Sequence, residues 1–301
     1  MIRLYLCLLC LLSSLCVANE ELPIVIVVPS YNNAQWYEKN LRSILQQNYG
    51  NYRVLYINDC SSDATGLLVE NMVKEYTDDY QVLSFDLPSP NDIVTDTQKF
   101  CDLVNQKRCF FTLVNNQQGA RAPLPNTYRS IYSCDDQEII AIVDGDDWLQ
   151  HDLVLQEVNT FYTSGNVWMT HGRFIEYPTN QSNWNLKIPN EIIQQNAFRQ
   201  FRLPSHLRTF YSWLFKKIKL EDLLYKGKFF PMTGDMAMMF PMIEMAGERH
   251  VFNNKINYVY NIATQFSENK INPKLQNDMD AYIRKLQPYQ RLENAPEHLL
   301  K

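Results

Sequence analysis

The chain has 301 residues, of which 46% are hydrophobic and 20% are charged, and this composition excludes a disordered or collagen-like protein. The formal net charge is −5 and there is no block of lysine and arginine residues, which argues against binding to a nucleic-acid backbone. The length suits one large α/β domain or two small ones.

Residues 1–18 have the pattern of a secretory signal peptide. Arg3 precedes an apolar run of about 14 residues, and the small residue Ala18 precedes an acidic stretch. The run is shorter than the roughly 20 residues that cross a bilayer, which predicts cleavage after Ala18; an uncleaved N-terminal anchor is the alternative. We therefore expect an exported protein, in a secretory lumen, the periplasm or outside the cell, with no transmembrane helix in the mature chain.

Four cysteines follow the predicted cleavage site: Cys60, Cys101, Cys109 and Cys134. Disulfides form in the oxidising compartments that an exported chain meets. Cys101 and Cys109 flank a short polar turn and are the preferred pair, and free buried thiols are the alternative. No C-x-x-C pair follows the cleavage site, so a zinc ribbon has no support.

Four short apolar runs, each ending in polar or acidic residues, predict the strands of a parallel sheet. They lie within residues 23–33, 52–63, 109–119 and 138–147. Continuous apolar runs are typical of strands that are covered on both faces. Helical spacing of apolar residues predicts the helices between them, in 34–47, 65–77 and 126–133. The alternation of strand and helix predicts a doubly wound α/β sheet.

Beyond residue 155 the pattern is looser. Residues 167–177 suit a strand of a mixed extension, and 178–205 suit a long loop with a short helix. A methionine-rich helix is predicted over 233–249. With no internal repeat and no clear linker, we predict a main domain over 19–265 and a peripheral helix or tail over 266–301.

Polar side chains follow the predicted strands at the point where each strand ends. They are Tyr31 with Asn32, then Asp59, Asn116 and Asp144. Ligands of open parallel sheets bind at the carboxyl ends of the strands. The sequence therefore predicts a ligand site at this edge.

Three carboxylates crowd the end of the last of these strands, in the stretch "DGDD". Asp144, Asp146 and Asp147 repel one another unless a positive charge lies among them or water surrounds them. Mg²⁺ and Mn²⁺ take oxygen ligands, and they bind one or two protein carboxylates while substrate phosphates fill the remaining positions. The cluster favours a divalent-cation site, and a solvated turn or a helix N-cap is the alternative.

Four motifs in chain order resemble those of the inverting family 2 glycosyltransferases. They are "VPSYNN", "INDCSSDAT", "NNQQGARAPLPN" and "DGDD", each at the end of a predicted strand, and the third departs most from the family pattern. The later segments "HLRTF" and "TGDMAMM" extend the resemblance. It implies the GT-A (Rossmann-like) α/β fold, with a mainly parallel central sheet and a mixed C-terminal extension.

The resemblance assigns residues to the donor. Pro29, Tyr31 and Asn32 would line the pocket for base and ribose. Asp59 would accept a hydrogen bond from the base, and its acceptor-only carboxylate suits the imide N–H of uracil, so a UDP-sugar is the expected donor. Arg121 would contact the base or a phosphate.

The resemblance also assigns residues to the reacting groups. Asp144 would lie by the ribose or the sugar, Asp146 would bind the Mn²⁺ or Mg²⁺ that bridges the diphosphate, and Asp147 would be a second contact or a helix cap. Asp235 would be the catalytic base that takes the proton of the acceptor hydroxyl. Plain N-capping of the methionine-rich helix is the alternative for Asp235.

His206 and Arg208 are candidates for contact with a phosphate or the acceptor. Both would reach the diphosphate from a mobile loop, and an arginine suits bidentate contact with phosphate. A surface histidine and an ordinary salt bridge are the alternatives.

Together these features predict an inverting, metal-dependent glycosyltransferase of the hexosyltransferase type. Its partners would be a nucleotide-diphosphate sugar and a hydroxyl acceptor on a glycan, a lipid or a protein. The alternative is a secreted pseudoenzyme of the same fold that only binds nucleotide sugar or carbohydrate. A nucleotidyltransferase would begin with a glycine-rich basic loop, and a processive synthase would carry Q-x-x-R-W and several membrane helices; the sequence has neither feature.

Overall fold

The computed structural model describes residues 20–86, 92–120, 122–182, 186–202, 205–265 and 268–299. The predicted signal peptide and Arg121 lie outside the described residues. No helix in the described ranges is long and apolar enough to span a membrane.

Five parallel strands form the first half of the central sheet, in the spatial order β3-β4-β2-β1-β5. They are β1 (Ile24–Ser30), β2 (Tyr52–Asn58), β3 (Tyr80–Phe85), β4 (Phe111–Asn116) and β5 (Ile139–Ile142). Four of them match the predicted strands. Strand β3 was not predicted, because it is an edge strand that is only partly buried and therefore lacks a continuous apolar run.

The second half of the sheet is mixed, as predicted. It contains β6 (Trp148–Leu149), β7 (Met169–Tyr177), β8 (Arg208–Tyr211) and β11 (His250–Asn261), and a separate hairpin is formed by β9 (Leu224–Tyr225) and β10 (Lys228–Phe229). Strand β8 is antiparallel to both β5 and β7, whereas β7 and β11 are parallel. Strand β8 therefore begins at the edge where β1, β5, β7 and β11 end.

Helices cover both faces of this sheet. One face carries α1 (Tyr37–Leu45), α2 (Thr65–Tyr76) and α5 (Val154–Thr163), and the other carries α3 (Ile93–Val104), α4 (Pro123–Tyr132), α7 (Ser212–Lys216), α8 (Gly234–Ala246) and α10 (Pro273–Lys285). Two short helices, α6 (Asn190–Gln194) and α9 (Glu268–Ile271), lie in the connections. Along β1, Val25 and Val27 face one core while Ile24, Ile26 and Val28 face the other. Burial on both faces explains the continuous apolar runs.

Two helix starts differ from the sequence expectation. Helix α4 begins at Pro123, three residues before the predicted start, because prolines fit the first turn of a helix, where an N–H would have no partner. Helix α8 begins after Thr233, so Asp235 is in its first turn and is not its N-cap residue.

The cysteines and the C-terminal segment complete the fold. Within the described residues Cys60, Cys101, Cys109 and Cys134 are free thiols, so the preferred Cys101–Cys109 disulfide is wrong. Cys101 lies in α3, and Cys109 precedes β4. Helix α10 contributes Met279 to the same core as α8, while the domain boundary at residue 266 stays a prediction.

Candidate active site

The first turn of the site connects β1 to α1. The Ser30 hydroxyl oxygen accepts from Tyr56 Oη at 2.8 Å and from Asn33 Nδ2 at 3.0 Å. Gly145 packs directly on this turn, where a Cβ would lie 2.6 Å from Ser30 Cβ and 2.7 Å from Asn33 Nδ2. The close approach of the two segments therefore requires glycine at position 145.

The predicted base pocket lies over the ends of β2 and β4. Asp59 is buried, and its Oδ1 accepts from Asn116 Nδ2 and from the backbone N–H of Ala120, both at 2.8 Å. Tyr31 is 46% exposed beside Asn32, which adopts a positive φ of 52°. The structure thus brings three predicted donor residues to one edge of the sheet, and Pro29 lies within β1 at the same end.

Asp147 differs from its two neighbours because it is locked into the fold. It is 1% exposed, and its carboxylate accepts from Tyr258 Oη at 2.8 Å and from the Asn261 N–H at 2.7 Å. Burial, followed by the charges of Asp146 and Asp144, raises its pKa well above the usual range. Strand β6 follows Asp147 directly and α5 begins only at Val154, so the predicted helix-cap role is wrong.

Asp146 is partly exposed. Burial, followed by the charge of Asp144, raises its pKa to about 6, and a hydrogen bond with Thr264 opposes that rise. Its backbone carbonyl accepts from Asn261 Nδ2 at 3.0 Å. A carboxylate held near another carboxylate is stabilised by any cation that reaches it.

Arg208 places a positive charge beside the acidic cluster. It is 4% exposed, and its Nη2 donates to Asp144 Oδ2 at 3.3 Å while its Nη1 lies 3.2 Å from Asp235 Oδ2. Burial lowers the pKa of Arg208, but the charges of Asp144 and Asp235 raise it by more. The pKa therefore lies above its usual value, and the guanidinium stays charged. Arg208 is the first residue of β8 and is buried, so its expected place on a mobile loop is wrong.

His206 is buried beside Arg208. Its ring stacks on Tyr258 at a centroid distance of 4.4 Å and on Tyr260 at 5.4 Å. Burial and then the charge of Arg208 lower its pKa well below 6.5, so the ring is neutral. A neutral imidazole has one acceptor nitrogen, and Nδ1 lies 3.0 Å from Arg208 Nη2.

Asp235 is the exposed carboxylate of the cluster. Its side chain is 42% exposed at the first turn of α8, where Oδ1 accepts from the Met236 N–H at 2.8 Å and Oδ2 faces Arg208. A carboxylate at the start of a buried helix is both fixed and open to the edge.

Oxygen and nitrogen ligand atoms for a metal ion are present in this cluster. Asp144, Asp147 and His206 each offer one such atom, and these atoms lie within 4.8 Å of one another. Asp147 and His206 are buried and engaged by neighbours, whereas Asp144, which also contacts Arg208, and Asp146 are partly exposed. The carboxylates that face the edge fit a hard divalent cation.

An aromatic cluster that was not predicted from the sequence lies beside the site. Trp36, Trp148 and Tyr177 pack together, and Lys39 Nζ lies 4.2 Å from the centroid of the Tyr177 ring and 4.9 Å from that of the Trp148 ring. A cavity of about 270 Å³ adjoins it, lined by Asn32, Gln35, Trp36, Ala263, Thr264 and Gln265. The aromatic residues are far apart in the chain, so no local pattern indicates their contact.

The sequence and the fold of this chain are similar to those of known glycosyltransferases. Residues 25–90 match the model of the glycosyl transferase family 2. The glycosyltransferase GlyA of Streptococcus pneumoniae is 24% identical over 251 residues, which are 79% of this chain and 30% of GlyA. The chain thus spans less than a third of the length of this curated relative.

Two solved structures show the same fold. The S. aureus TarS 1-349 structure in complex with UDP matches with a TM-score of 0.56 and 13% identity, over 80% of this chain and 61% of that one. Glucosyl-3-phosphoglycerate synthase from Mycobacterium tuberculosis in complex with UDP matches with a TM-score of 0.51 and 8% identity, over 88% of this chain and 81% of that one. The predicted GT-A fold is confirmed.

Proposed function

We propose that this chain, whose residues 25–90 match the model of the glycosyl transferase family 2 and whose fold is GT-A, transfers a sugar from a nucleotide-diphosphate donor to a hydroxyl acceptor. One observation carries the proposal. The exposed carboxylate of Asp235 lies across a single arginine from Asp144, at the edge where Asp59 follows β2. A potential base and the family's donor-binding motifs therefore share one site.

A UDP-sugar is the proposed donor. The carboxylate of Asp59 suits the imide N–H of uracil, and Tyr31 offers an exposed ring for stacking on the base. TarS and glucosyl-3-phosphoglycerate synthase, which share the fold, have been crystallised with UDP. We propose that the nucleotide binds at this edge, with Pro29, Asn32 and Arg121 as further contacts.

Asp146, beside Asp144, would hold a divalent cation, Mn²⁺ or Mg²⁺. Burial, followed by the charge of Asp144, raises the pKa of Asp146, and a hard divalent cation would stabilise its ionised carboxylate against both. Such a cation supplies charge stabilisation to a departing diphosphate.

The reaction would proceed with inversion at the anomeric carbon. Asp235 takes the proton of the acceptor hydroxyl, and that oxygen forms its bond to the anomeric carbon from the side opposite the diphosphate. The bond between the anomeric carbon and the diphosphate oxygen breaks, and its electron pair leaves with the nucleotide. The group transferred is proposed to be a hexosyl group. Because the sequence predicts a signal peptide, we also propose that the enzyme is exported.

A donor screen tests this function. Purified protein is incubated with UDP-glucose, UDP-galactose, UDP-N-acetylglucosamine and GDP-mannose, with Mn²⁺, with Mg²⁺ or with a chelator, and release of nucleotide is measured. We expect turnover of a UDP-sugar that requires a divalent cation and falls about 100-fold in Asp146→Ala. Binding of nucleotide without any turnover would favour the pseudoenzyme, and failure to bind nucleotide at all would refute the proposal.

A further inference from the structure

Three charged side chains meet between the donor side and the base side of the site. Arg208 contacts Asp144 at 3.3 Å and Asp235 at 3.2 Å through different nitrogens. We propose that Arg208, held in place by His206, is a positioning residue that sets the separation and orientation of these two carboxylates. The inference rests on the proposed function, because it needs Asp144 at the donor and Asp235 as the base.

The backbone places Arg208 rigidly. It begins β8, where it pairs with Ile142 of β5, two residues before Asp144. Strand β8 lies inside the sheet between β5 and β7. Because the strand cannot shift without breaking both pairings, the origin of the guanidinium side chain is fixed relative to Asp144.

His206 fixes the other end of the side chain. Its ring is stacked on Tyr258 and Tyr260 from β11 and meets Phe174 of β7 edge-on at 5.8 Å. These ring contacts hold the imidazole beside the guanidinium, with Nδ1 3.0 Å and Nε2 3.5 Å from Arg208 Nη2. The guanidinium plane is therefore held by a neutral acceptor on one side and by two carboxylates on the other.

Charge balance favours positioning over phosphate binding. One guanidinium already faces two carboxylates, so the three groups together carry a net charge of −1 when the carboxylates are ionised. Such a group offers little attraction to a diphosphate. Without Arg208, however, Asp144 and Asp235 would lose the cation between them and repel each other. The base would then leave its place while the nucleotide pocket at Asp59 stays intact.

The test separates turnover from nucleotide binding. Arg208→Met, Arg208→Lys and His206→Phe are compared with wild type for kcat, with the UDP-sugar that wild type turns over fastest, and for the Kd of UDP by calorimetry. Phenylalanine keeps the ring stack at position 206 and removes the acceptor nitrogen. Arg42→Lys, which alters an exposed arginine–carboxylate pair on the surface of α1, is the control.

We expect kcat to fall about 100-fold in Arg208→Met and about 10-fold in His206→Phe, with the Kd of UDP within about threefold of wild type. Arg208→Lys should recover part of kcat, because lysine restores the charge without the fork that reaches two carboxylates. Arg42→Lys should leave both quantities unchanged.

Two outcomes overturn the inference. One is an Arg208→Met variant with wild-type kcat; the other is a loss of UDP affinity that accounts for the whole defect, which would make Arg208 a phosphate contact. If thermal unfolding shows that Arg208→Met does not fold, His206→Phe decides by the same criteria. If the wild-type protein turns over none of the donors, the proposed function itself is refuted. That outcome is distinct from a failure of the inference on Arg208, which shows only when variants are compared with an active wild type.

Discussion

Asp146 and Asp147 are sequence neighbours with different roles. Asp147 is 1% exposed and accepts from Tyr258 and Asn261, so it ties the "DGDD" turn to β11. Asp146 is partly exposed and lies beside Asp144. The two side chains are chemically identical and differ in burial and in hydrogen bonding. Residue type could therefore predict the cluster but could not assign a role to each member.

The raised pKa of Asp146 has a consequence for stability. Its pKa of about 6 lies above the ordinary value of 3.8, so the ionised group costs stability that is regained as the pH falls through 6. Without divalent cations, Asp146→Asn should raise the free energy of unfolding by about 1–2 kcal/mol at neutral pH, and the gain should shrink toward pH 4. Urea denaturation across this pH range measures it, and a gain that grows on acidification would contradict the account.

Gly145 allows the acidic turn to pack on β1. Gly145→Ala places a Cβ 2.6 Å from Ser30 Cβ, so we expect the free energy of unfolding to fall by about 1–3 kcal/mol. Gly165→Ala is the matched control, because nothing lies within 4 Å of the added carbon there. Chemical denaturation compares the two, and equal stabilities would show that the turn relaxes without cost.

At the scale of elements, the antiparallel entry of β8 completes the site. Its first residue, Arg208, reaches the same edge as the carboxyl end of β5 because the two strands run in opposite directions. The crowded carboxylates of the "DGDD" motif indicated either a nearby positive charge or full solvation. No local pattern could show that a residue in a later segment supplies it, since that depends on the order of strands in the sheet.

A buried ion pair joins α8 to the segments that flank it. Arg199 donates to both carboxylate oxygens of Glu244 in α8, at 2.6 and 2.9 Å, and to the Ile283 carbonyl of α10 at 2.6 Å. Arg199→Met leaves Glu244 buried without its cation, so we expect a loss of about 3–5 kcal/mol. Arg42→Met, which breaks the exposed pair with Glu38, should cost less than about 0.5 kcal/mol.

Thermal and urea unfolding of these two variants test the contrast. Similar losses in both would mean that the Arg199–Glu244 pair does not hold α8 against α10.

At the scale of the whole molecule, the apolar runs predicted the strands that are covered on both faces, such as β1, but did not predict the partly buried edge strand β3. The convergence of Tyr31, Asp59 and Asp144 at one edge followed from the direction of parallel strands. The contacts of Trp36 with Trp148 and of Arg208 with Asp235 link distant segments, so only the three-dimensional fold reveals them.

Acid stability of the whole fold depends in part on His171. Burial, followed by the charge of His250, lowers its pKa to about 3, so the folded chain keeps it neutral where the unfolded chain takes a proton. Stability is therefore lost as the pH falls from 6.5 toward 3. Between pH 7 and 4.5, His171→Phe should lose about 2 kcal/mol less free energy of unfolding than wild type.

His298→Gln is the control for that experiment, because His298 is largely exposed. It should follow the wild-type dependence on pH, as determined by urea denaturation. An unchanged acid dependence in His171→Phe would show that His171 is protonated within the fold.

The role of Asp235 as base is the central claim, and Asp235→Asn tests it most directly. With the donor that wild type turns over, we expect kcat to fall at least about 100-fold while the Kd of UDP stays within about threefold. Asp280→Asn, which changes a partly exposed carboxylate on α10 that also pairs with an arginine, should match wild type in both. An Asp235→Asn variant that keeps wild-type kcat would contradict the account.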